Sequence, residues 1–392
     1  MTASEQMTLP AWAQWAPAAP VTPWTVGIEE EVMLIDPATT EPASRVEDVL
    51  AALPAHLAGH AQAETHGSAL ELRTSPHLRV EDAVAELAAL RAALLAAVGG
   101  LGLAAAVAGT HPLARGEHTE VSPGARYQYL HDSLRELARR EPTFGLHVHV
   151  AVPDPELAVR ALTRMRAHLP LLLALSANSP FWQGRDSGMA SVRTPLFQAF
   201  PRAGIPRAFA SYAEYVESID VLIRCGAIPE PSFIWWDARL QPRYGTLEVR
   251  VMDAQTRVRD TAALAALVQC LVRLECTEDG FADTASAASP EALDENRFLA
   301  ARDGMGARLV DPGRDRLVPA LGRLATLVDA CRPHAAALEC SRELRAVAQL
   351  AGDWGADRQR AIAAEPGGLP GLVHALRSDF AAARPITEAC GR

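Results

Sequence analysis

Four short stretches of this chain share one pattern: Gly27-Ile28-Glu29-Glu30-Glu31-Val32, Ala69-Leu70-Glu71-Leu72-Arg73, Gly145-Leu146-His147-Val148-His149-Val150 and Thr246-Leu247-Glu248-Val249-Arg250-Val251. Each reads as a β-strand in which apolar residues alternate with Glu, His or Arg. Because the side-chain period of a strand is two, Glu29 and Glu31 share a face, as do Glu71 and Arg73, His147 and His149, and Glu248 and Arg250. The opposite faces are mostly apolar. If these faces belong to one sheet, carboxylates, imidazoles and guanidiniums converge on a single surface, at a prohibitive electrostatic cost without counter-ions. Bound divalent cations resolve it. Four carboxylates and a histidine exceed what one Mg²⁺ takes from protein, so the expectation is two or more Mg²⁺ or Mn²⁺ ions holding a polyphosphate.

The rest of the composition narrows the chemistry. No lysine occurs, so all 37 basic residues are arginine. Schiff bases, the P-loop lysine and the kinase strand lysine are thereby excluded, and any ATP must be handled by Arg and metal. A formal net charge of -10 argues against a nucleic-acid partner. Cys225, Cys270, Cys276, Cys331, Cys340 and Cys390 show no CxxC spacing and read as reduced thiols of a cytoplasmic protein. Residues 1–22, rich in Ala and Pro, read as a flexible lead-in rather than a signal peptide. The apolar run Leu169 to Ala177 is too short to span a bilayer and reads as a buried helix, so no membrane partner is expected.

Along the chain, Thr25 to Ile35 is the first strand, and Val46 to Leu57 reads as a helix. Val80 to Val98 has helical periodicity with acids in its first turn, and Gly99-Gly100 is expected to end it. Leu103 to Ala108 reads as a buried strand, Arg126 to Arg140 as a helix and Pro155 to Leu175 as a second long helix. Ser187 to Pro206, with Arg193, Arg202 and several prolines, has the character of a lid. Ser232 to Asp237 is expected to form a strand, with Arg239 to Gly245 turning it into the Glu248 strand. From Thr261 the chain is predominantly helical: Thr261 to Glu275, Glu291 to Ala301, Leu317 to Cys331 and Ser341 to Leu350. The organisation expected is a single domain over residues 23–375, mostly helical from about 261, with a tail at 376–392.

Taken alone, each motif has a bland reading: three acids in a row are a solvated run, His-x-His a structural pair, Glu-x-Arg an internal salt bridge. Their joint occurrence on alternating strands is harder to dismiss. Zinc hydrolysis fits poorly, without HExxH or a Cys and His cluster. Phosphoryl transfer fits well, since it needs cations on phosphate oxygens and an arginine for the transferring charge.

Several segments together resemble the carboxylate-amine ligases of the glutamate-cysteine ligase type 2 group. They are Gly27 to Glu31, Glu71-Leu72-Arg73-Thr74-Ser75-Pro76, Phe144 to Val150, Arg193-Thr194-Pro195, Trp236-Asp237-Ala238-Arg239 and Tyr244 to Arg250. The resemblance extends through Glu295-Asn296-Arg297 and Gly355 to Arg360. It implies an α+β fold of the glutamine synthetase and guanidino kinase type, a curved antiparallel sheet with metal and ATP on the concave face and helices on the other. Carried over by motif, Glu29, Glu31, Glu71, His147 and Glu248 would be metal ligands. His149 would bind nucleotide or metal, with the choice between His147 and His149 as metal ligand left open, and Arg73 and Arg250 would contact nucleotide, Arg250 on the γ-phosphate or acyl phosphate. Arg193 would anchor a substrate carboxylate. The implied reaction activates a carboxylate, typically the γ-carboxylate of L-glutamate, as an acyl phosphate that an amine then attacks. The amine, cysteine or another, is left open, and so is the oligomeric state, a homodimer being compatible. The alternatives are a guanidino-type phosphotransferase and a non-catalytic ATP-binding relative.

Overall fold

The ten-residue strand Val26–Ile35 is the axis of the molecule, because three strands of the large sheet pair with it directly and the others are placed through those pairings. The computed structural model describes residues 9–16, 22–140, 142–278 and 289–382. Across the sheet the strands run Ala238–Gln241, Thr246–Asp253, Gly145–Ala151, Val26–Ile35, Ala69–Arg73 and Ala61–Ala63. Ala104–Ala106 pairs with the far end of the central strand. All these pairings are antiparallel and the sheet is open. The fold is thus the expected α+β architecture, with the long core helices on one face and two shorter helices, Ala125–Leu134 and Arg193–Gln198, beside the other.

Register follows from burial. Val26, Ile28, Val32, Leu34, Leu70, Leu72, Leu146, Val148, Val150, Leu247 and Val249 all point away from the charged side chains and are almost wholly buried. They meet helices Val80–Gly100, Pro155–Met165, Leu169–Ser176 and Val258–Thr277. Each such side chain contributes roughly 1.5–3 kcal/mol. A one-residue slip of any strand would exchange this layer for Glu and His, so the pairing is strongly specified.

One acid breaks the alternation. Glu30 faces the helices, fully buried, and receives Nε of Arg91 at 2.7 Å in a two-pronged pair. Arg91 lies in the middle of helix Val80–Gly100 and spends its remaining donors on the carbonyls of Gln255 and Thr256. That helix is long and apolar enough to cross a membrane by length and composition. Here it is a packing helix, its inner face laid on the sheet.

Several local expectations are corrected. Helix Val80–Gly100 runs through both glycines, and the left-handed turn falls at Gly102 (φ 69°), with Leu103 N–H closing on Val98 O at 2.8 Å. The long helix expected from Pro155 is two, Pro155–Met165 and Leu169–Ser176. Pro170 is tolerated in the first turn of the second, where its missing N–H costs nothing. The segment from Ser187 is not irregular throughout, since Arg193–Gln198 is a short helix with Arg193 and Thr194 buried. The hairpin into Thr246–Asp253 exists, but its first strand is Ala238–Gln241, with Pro242 and Gly245 (φ 64°) making the turn. Trp235–Trp236 instead pairs in parallel with Ala203–Gly204. Arg316–Pro319 forms a strand before helix Ala320–Ala337 begins.

At the N-terminus, residues 9–16 are docked rather than loose: Trp12 Nε1 donates to Asp220 at 2.9 Å, Trp15 Nε1 to Val152 O at 3.1 Å, and Tyr212 to Ala13 O at 2.7 Å. Helix Gly368–Ala381 crosses the point at which a tail was expected. The remaining lead-in and tail expectations, Cys390 among them, lie outside the described residues. Cys225, Cys270, Cys276, Cys331 and Cys340 are free thiols.

Candidate active site

Antiparallel pairing aligns the charged side chains in rows. Glu29 sits opposite His147 on one side and Arg73 on the other, Glu31 opposite Glu71, and His149 opposite both Gly27 and Glu248. The rows meet as side chains. Glu29 touches His147 Nδ1 at 3.2 Å and His149 Nε2 at 3.3 Å, while Glu248 Oε1 lies 3.9 Å from His147 and 3.8 Å from His149. Between Val249 and Met252 the strand Thr246–Asp253 bulges, so that Arg250 and Val251 together oppose His147. The bulge turns Arg250 onto Glu248 and puts its Nη1 3.4 Å from His147 Nδ1.

Beyond the bulge stands Arg193, brought in from helix Arg193–Gln198. It is buried, its Nη atoms reach the Val251 and Arg250 carbonyls only at 3.3 and 3.4 Å, Asp253 is 3.9 Å away, and its Nε has no partner. The close approach depends on Gly145, where a Cβ would lie 2.5 Å from Arg193 Nη2 and 3.0 Å from His147 Nε2. Arg73 stands at the opposite edge, half-buried and 3.8 Å from Glu71. All the side chains singled out from the sequence therefore open onto one face.

The structure adds residues the sequence reading did not pick. Arg239, opposite Glu248 in the register, donates to it at 2.6 Å, and Gln241 donates to the same carboxylate at 2.8 Å. Gln62 donates to Glu71 at 2.8 Å. Glu64, just past the Ala61–Ala63 strand, joins Glu31 and Glu71. For Arg239 the signal was its place two residues before Gln241, period-two spacing in what read as a turn. For Gln62 and Glu64 it was the same spacing ahead of the tight Gly67 turn.

The electrostatics divide the site. Burial and then repulsion from Glu31 push the Glu64 carboxyl up to about 8. Glu71 is raised as well, by burial and then by Glu29, Glu64 and Glu31. Burial works the same way on Glu248, but Arg239 and Arg250 outweigh it and hold the carboxylate well below its ordinary range. Glu29 is held low against burial by His149 and His147. Burial and then Arg250 lower His147, whereas Glu29 and Glu248 raise His149 against burial. One side of the face is internally neutralised, and the Glu31, Glu64 and Glu71 side is not.

Three groups place their donor atoms within 4.8 Å of one another: Glu29, His149 and Glu248; Glu29, Glu71 and His147; and Glu31, Glu64 and Glu71. Oxygen-rich sets of this kind suit hard divalent cations. The residues fit such ions on their own chemistry: burial and the charges of neighbouring glutamates push the Glu64 and Glu71 carboxyls up, a repulsion a cation would relieve, and His149 Nε2 is buried 3.3 Å from Glu29 in the same cluster.

Two clefts open on the cluster from opposite ends of the strands. One, of about 790 Å³, is lined at the Gly27 end by Glu29, Arg73, His149, Tyr244 and Thr246. The other lies past Glu31 and Arg250 and is much smaller, about 100 Å³. A third, of about 1040 Å³ between Arg115 and Trp182, holds none of the clustered residues, and its mixed Arg and Glu lining is that of an ordinary surface groove.

A family model described as glutamate-cysteine ligase family 2 matches residues 25–375. A Rubrobacter xylanophilus protein provisionally named glutamate-cysteine ligase 2-1 is 41% identical over 351 residues, covering 89% of this chain and 93% of its own length. A Sorangium cellulosum protein, provisionally glutamate-cysteine ligase 2, is 37% identical over 360 residues, covering 90% of this chain and 95% of its own. Among solved structures, the glutamate-cysteine ligase of Francisella tularensis in complex with AMP superposes with a TM-score of 0.68 at 13% identity, covering 91% of this chain and 89% of that one. The bifunctional glutathione synthetase of Pasteurella multocida gives 0.63 at 14%, with 91% and 52% covered. At such identities the likeness is one of fold.

Proposed function

This chain belongs to glutamate-cysteine ligase family 2, and from that premise we propose that it joins a carboxylate to an amine at the expense of ATP, through an acyl phosphate, with L-glutamate as the acid. The observation that carries the reading is the convergence of Glu29, Glu31, Glu64, Glu71, His147, His149 and Glu248 with Arg250 on one sheet face, its acids only partly neutralised.

Glu29, Glu31, Glu64, Glu71, His147 and Glu248 would hold Mg²⁺ or Mn²⁺, with His149 a further candidate, and the ions would supply charge neutralisation at the phosphates. The nucleotide would enter from the Gly27 end, where Arg73, His149 and Tyr244 line the larger cleft. The AMP carried by the Francisella ligase supports a nucleotide in this fold. Arg250, fixed by Glu248 and by the bulge, would face the transferring phosphoryl group. Arg193, with its incompletely satisfied guanidinium, would take the α-carboxylate of glutamate.

A γ-carboxylate oxygen attacks the γ-phosphorus as the bond to the β-phosphate oxygen breaks, releasing ADP. The amine nitrogen then adds to the acyl carbon, loses a proton, and phosphate departs with the acyl C–O electrons. Arg239 and Gln241 keep Glu248 in place through both steps.

The test is ADP release with mass spectrometry of products, using ATP, Mg²⁺ or Mn²⁺, L-glutamate and a panel of amines. ADP matched by a γ-glutamyl amide is expected. A phosphorylated acceptor without amide would move the assignment to a guanidino-type kinase, and nucleotide binding without ADP to a non-catalytic relative.

A further inference from the structure

Arg193 keeps most of its donors unspent, so its own guanidinium is not what fixes it. Its placement comes from the main chain around it. Ser179 and Ser191 form a parallel bridge, Val192 N–H closes on Ser179 O at 2.9 Å, and Arg193 N–H reaches Ser179 Oγ at 3.3 Å. Behind that bridge lies Asp253, wholly buried, which accepts Ser179 Oγ at 2.7 Å, Ser191 Oγ at 2.9 Å and Asn178 N–H at 2.8 Å. The seat is tight, since a Cβ on Gly109 would lie 2.6 Å from the Asp253 carboxyl carbon.

Asn178 is held from its other side by helix Gly355–Ala363. Gln359 Nε2 donates to Asn178 O at 2.7 Å and to Asn178 Oδ1 at 2.8 Å, and Ala356 N–H donates to Ala177 O at 3.0 Å. Gly355 permits the approach, because a Cβ there would overlap Asn178 Oδ1. Arg360 grips the same segment further on, with two nitrogens on Asp186 at 2.8 and 2.9 Å and one of them also on Met189 O at 2.9 Å. Each of these contacts is shorter than those the Arg193 guanidinium makes, at 3.3 and 3.4 Å. Resting on the ligase reading above, in which Arg193 takes the substrate α-carboxylate, we propose that Gln359 and Asp253 are positioning residues for that arginine. Asp253 seats the backbone that carries it, and Gln359 presses Asn178 onto Asp253. Neither lines the nucleotide cleft or belongs to the acid and histidine groups. An arginine kept free for a ligand has to be placed by bonds other than its own, and a small displacement of such a contact is costly.

The full-length protein is assayed for hydroxamate with ATP, Mg²⁺, L-glutamate and hydroxylamine, which needs no acceptor pocket. In Gln359→Met, which keeps the side-chain bulk and loses both donors, KM for glutamate should rise about fivefold, with KM for ATP within about twofold of the parent and kcat changed less than KM. KM does not depend on how much of a variant folds. Ser191→Ala, which takes one hydroxyl from Asp253, should shift the same constant in the same direction and serves if Gln359→Met fails to fold. Added to Arg193→Ala, Gln359→Met should raise KM for glutamate no further, because the contact it positions is already gone. An unchanged KM for glutamate in both single variants, an equal rise in KM for ATP, or a double variant whose effect is the product of the singles overturns the proposal, while hydroxamate formation leaves the ligase reading standing. A parental KM in Arg193→Ala removes the proposal together with the role of Arg193. No hydroxamate from the parent protein overturns the ligase reading as well.

Discussion

Glu29, Glu30 and Glu31 are chemically identical neighbours on one strand, yet they live on opposite sides of the sheet under opposite rules. Glu30 faces the helices and is fully compensated: Arg91 grips it with two nitrogens and satisfies its own surplus donors on two carbonyls. Glu29 and Glu31 face the clefts, where Glu64 and Glu71 crowd them, and on the Glu31 side burial and repulsion outweigh the Arg73 and Arg250 charges. A charge that the fold neutralises by itself belongs to the architecture. A charge left unbalanced at a burial cost is held for something that arrives.

That contrast can be broken first on the packed side. Arg91→Met leaves Glu30 buried and unpaired, and should cost about 3–5 kcal/mol in denaturant unfolding, most of it recovered in the double variant with Glu30→Leu. A loss of under about 1 kcal/mol would show that the pair behaves like a surface bridge, and the contrast would fail. On the open side, Glu248→Gln should lower ADP release by about 100-fold or more in the folded fraction, because it removes an acid of the cluster and the anchor of Arg250. Turnover within a few-fold of the parent would mean that the cluster is not the reaction centre.

Arg193→Ala should raise KM for the acid about tenfold with a smaller change in kcat, the mark of a lost binding contact. Gly145→Ala should do the same more weakly, since its Cβ displaces the guanidinium. No change in either constant would remove Arg193 from the site.

The smallest effect is the most diagnostic of unbalanced charge. The Glu64 carboxyl sits at about 8 in the folded protein against 4.5 for the free group, so the fold favours its protonated form. Stability from this group is full below the unfolded value and is lost as pH rises from about 4.5 towards 8. Metal-free protein should therefore become less stable over that window. Glu64→Gln should flatten the slope, leaving the share that belongs to Glu71, and raise stability at the upper end of the window. Added Mg²⁺ should reverse the trend, because the anion then has a partner. A flat profile in metal-free protein would mean the acids are already paired.

Much of this site could be read from the chain, because period-two alternation is a local property and places Glu29, Glu31, Glu71, His147, His149 and Glu248 on one face without knowledge of the fold. Glu30 fell within the same run, and its partner was equally local in principle, a lone arginine inside the apolar stripe of a helix. Pairing them required knowing that this helix lies under that strand. Arg239 was hidden by a misplaced turn: the adjacent tryptophans looked like the strand, and only the register with Thr246–Asp253 shows that the strand begins at Ala238. Arg193 was legible as a residue type but not as a buried side chain, since its burial depends on a bulge and a glycine from two other strands.

The sequence by itself determined which residues share a face and which chemistries are excluded, because side-chain alternation and the absence of lysine need no tertiary information. The tertiary structure decided everything that depends on sequence-distant charges being brought together. It paired Glu30 with Arg91, left Glu64 and Glu71 facing Glu31, and turned Arg250 onto Glu248. Coulomb energy and burial are functions of distance in space, and distance along the chain carries neither.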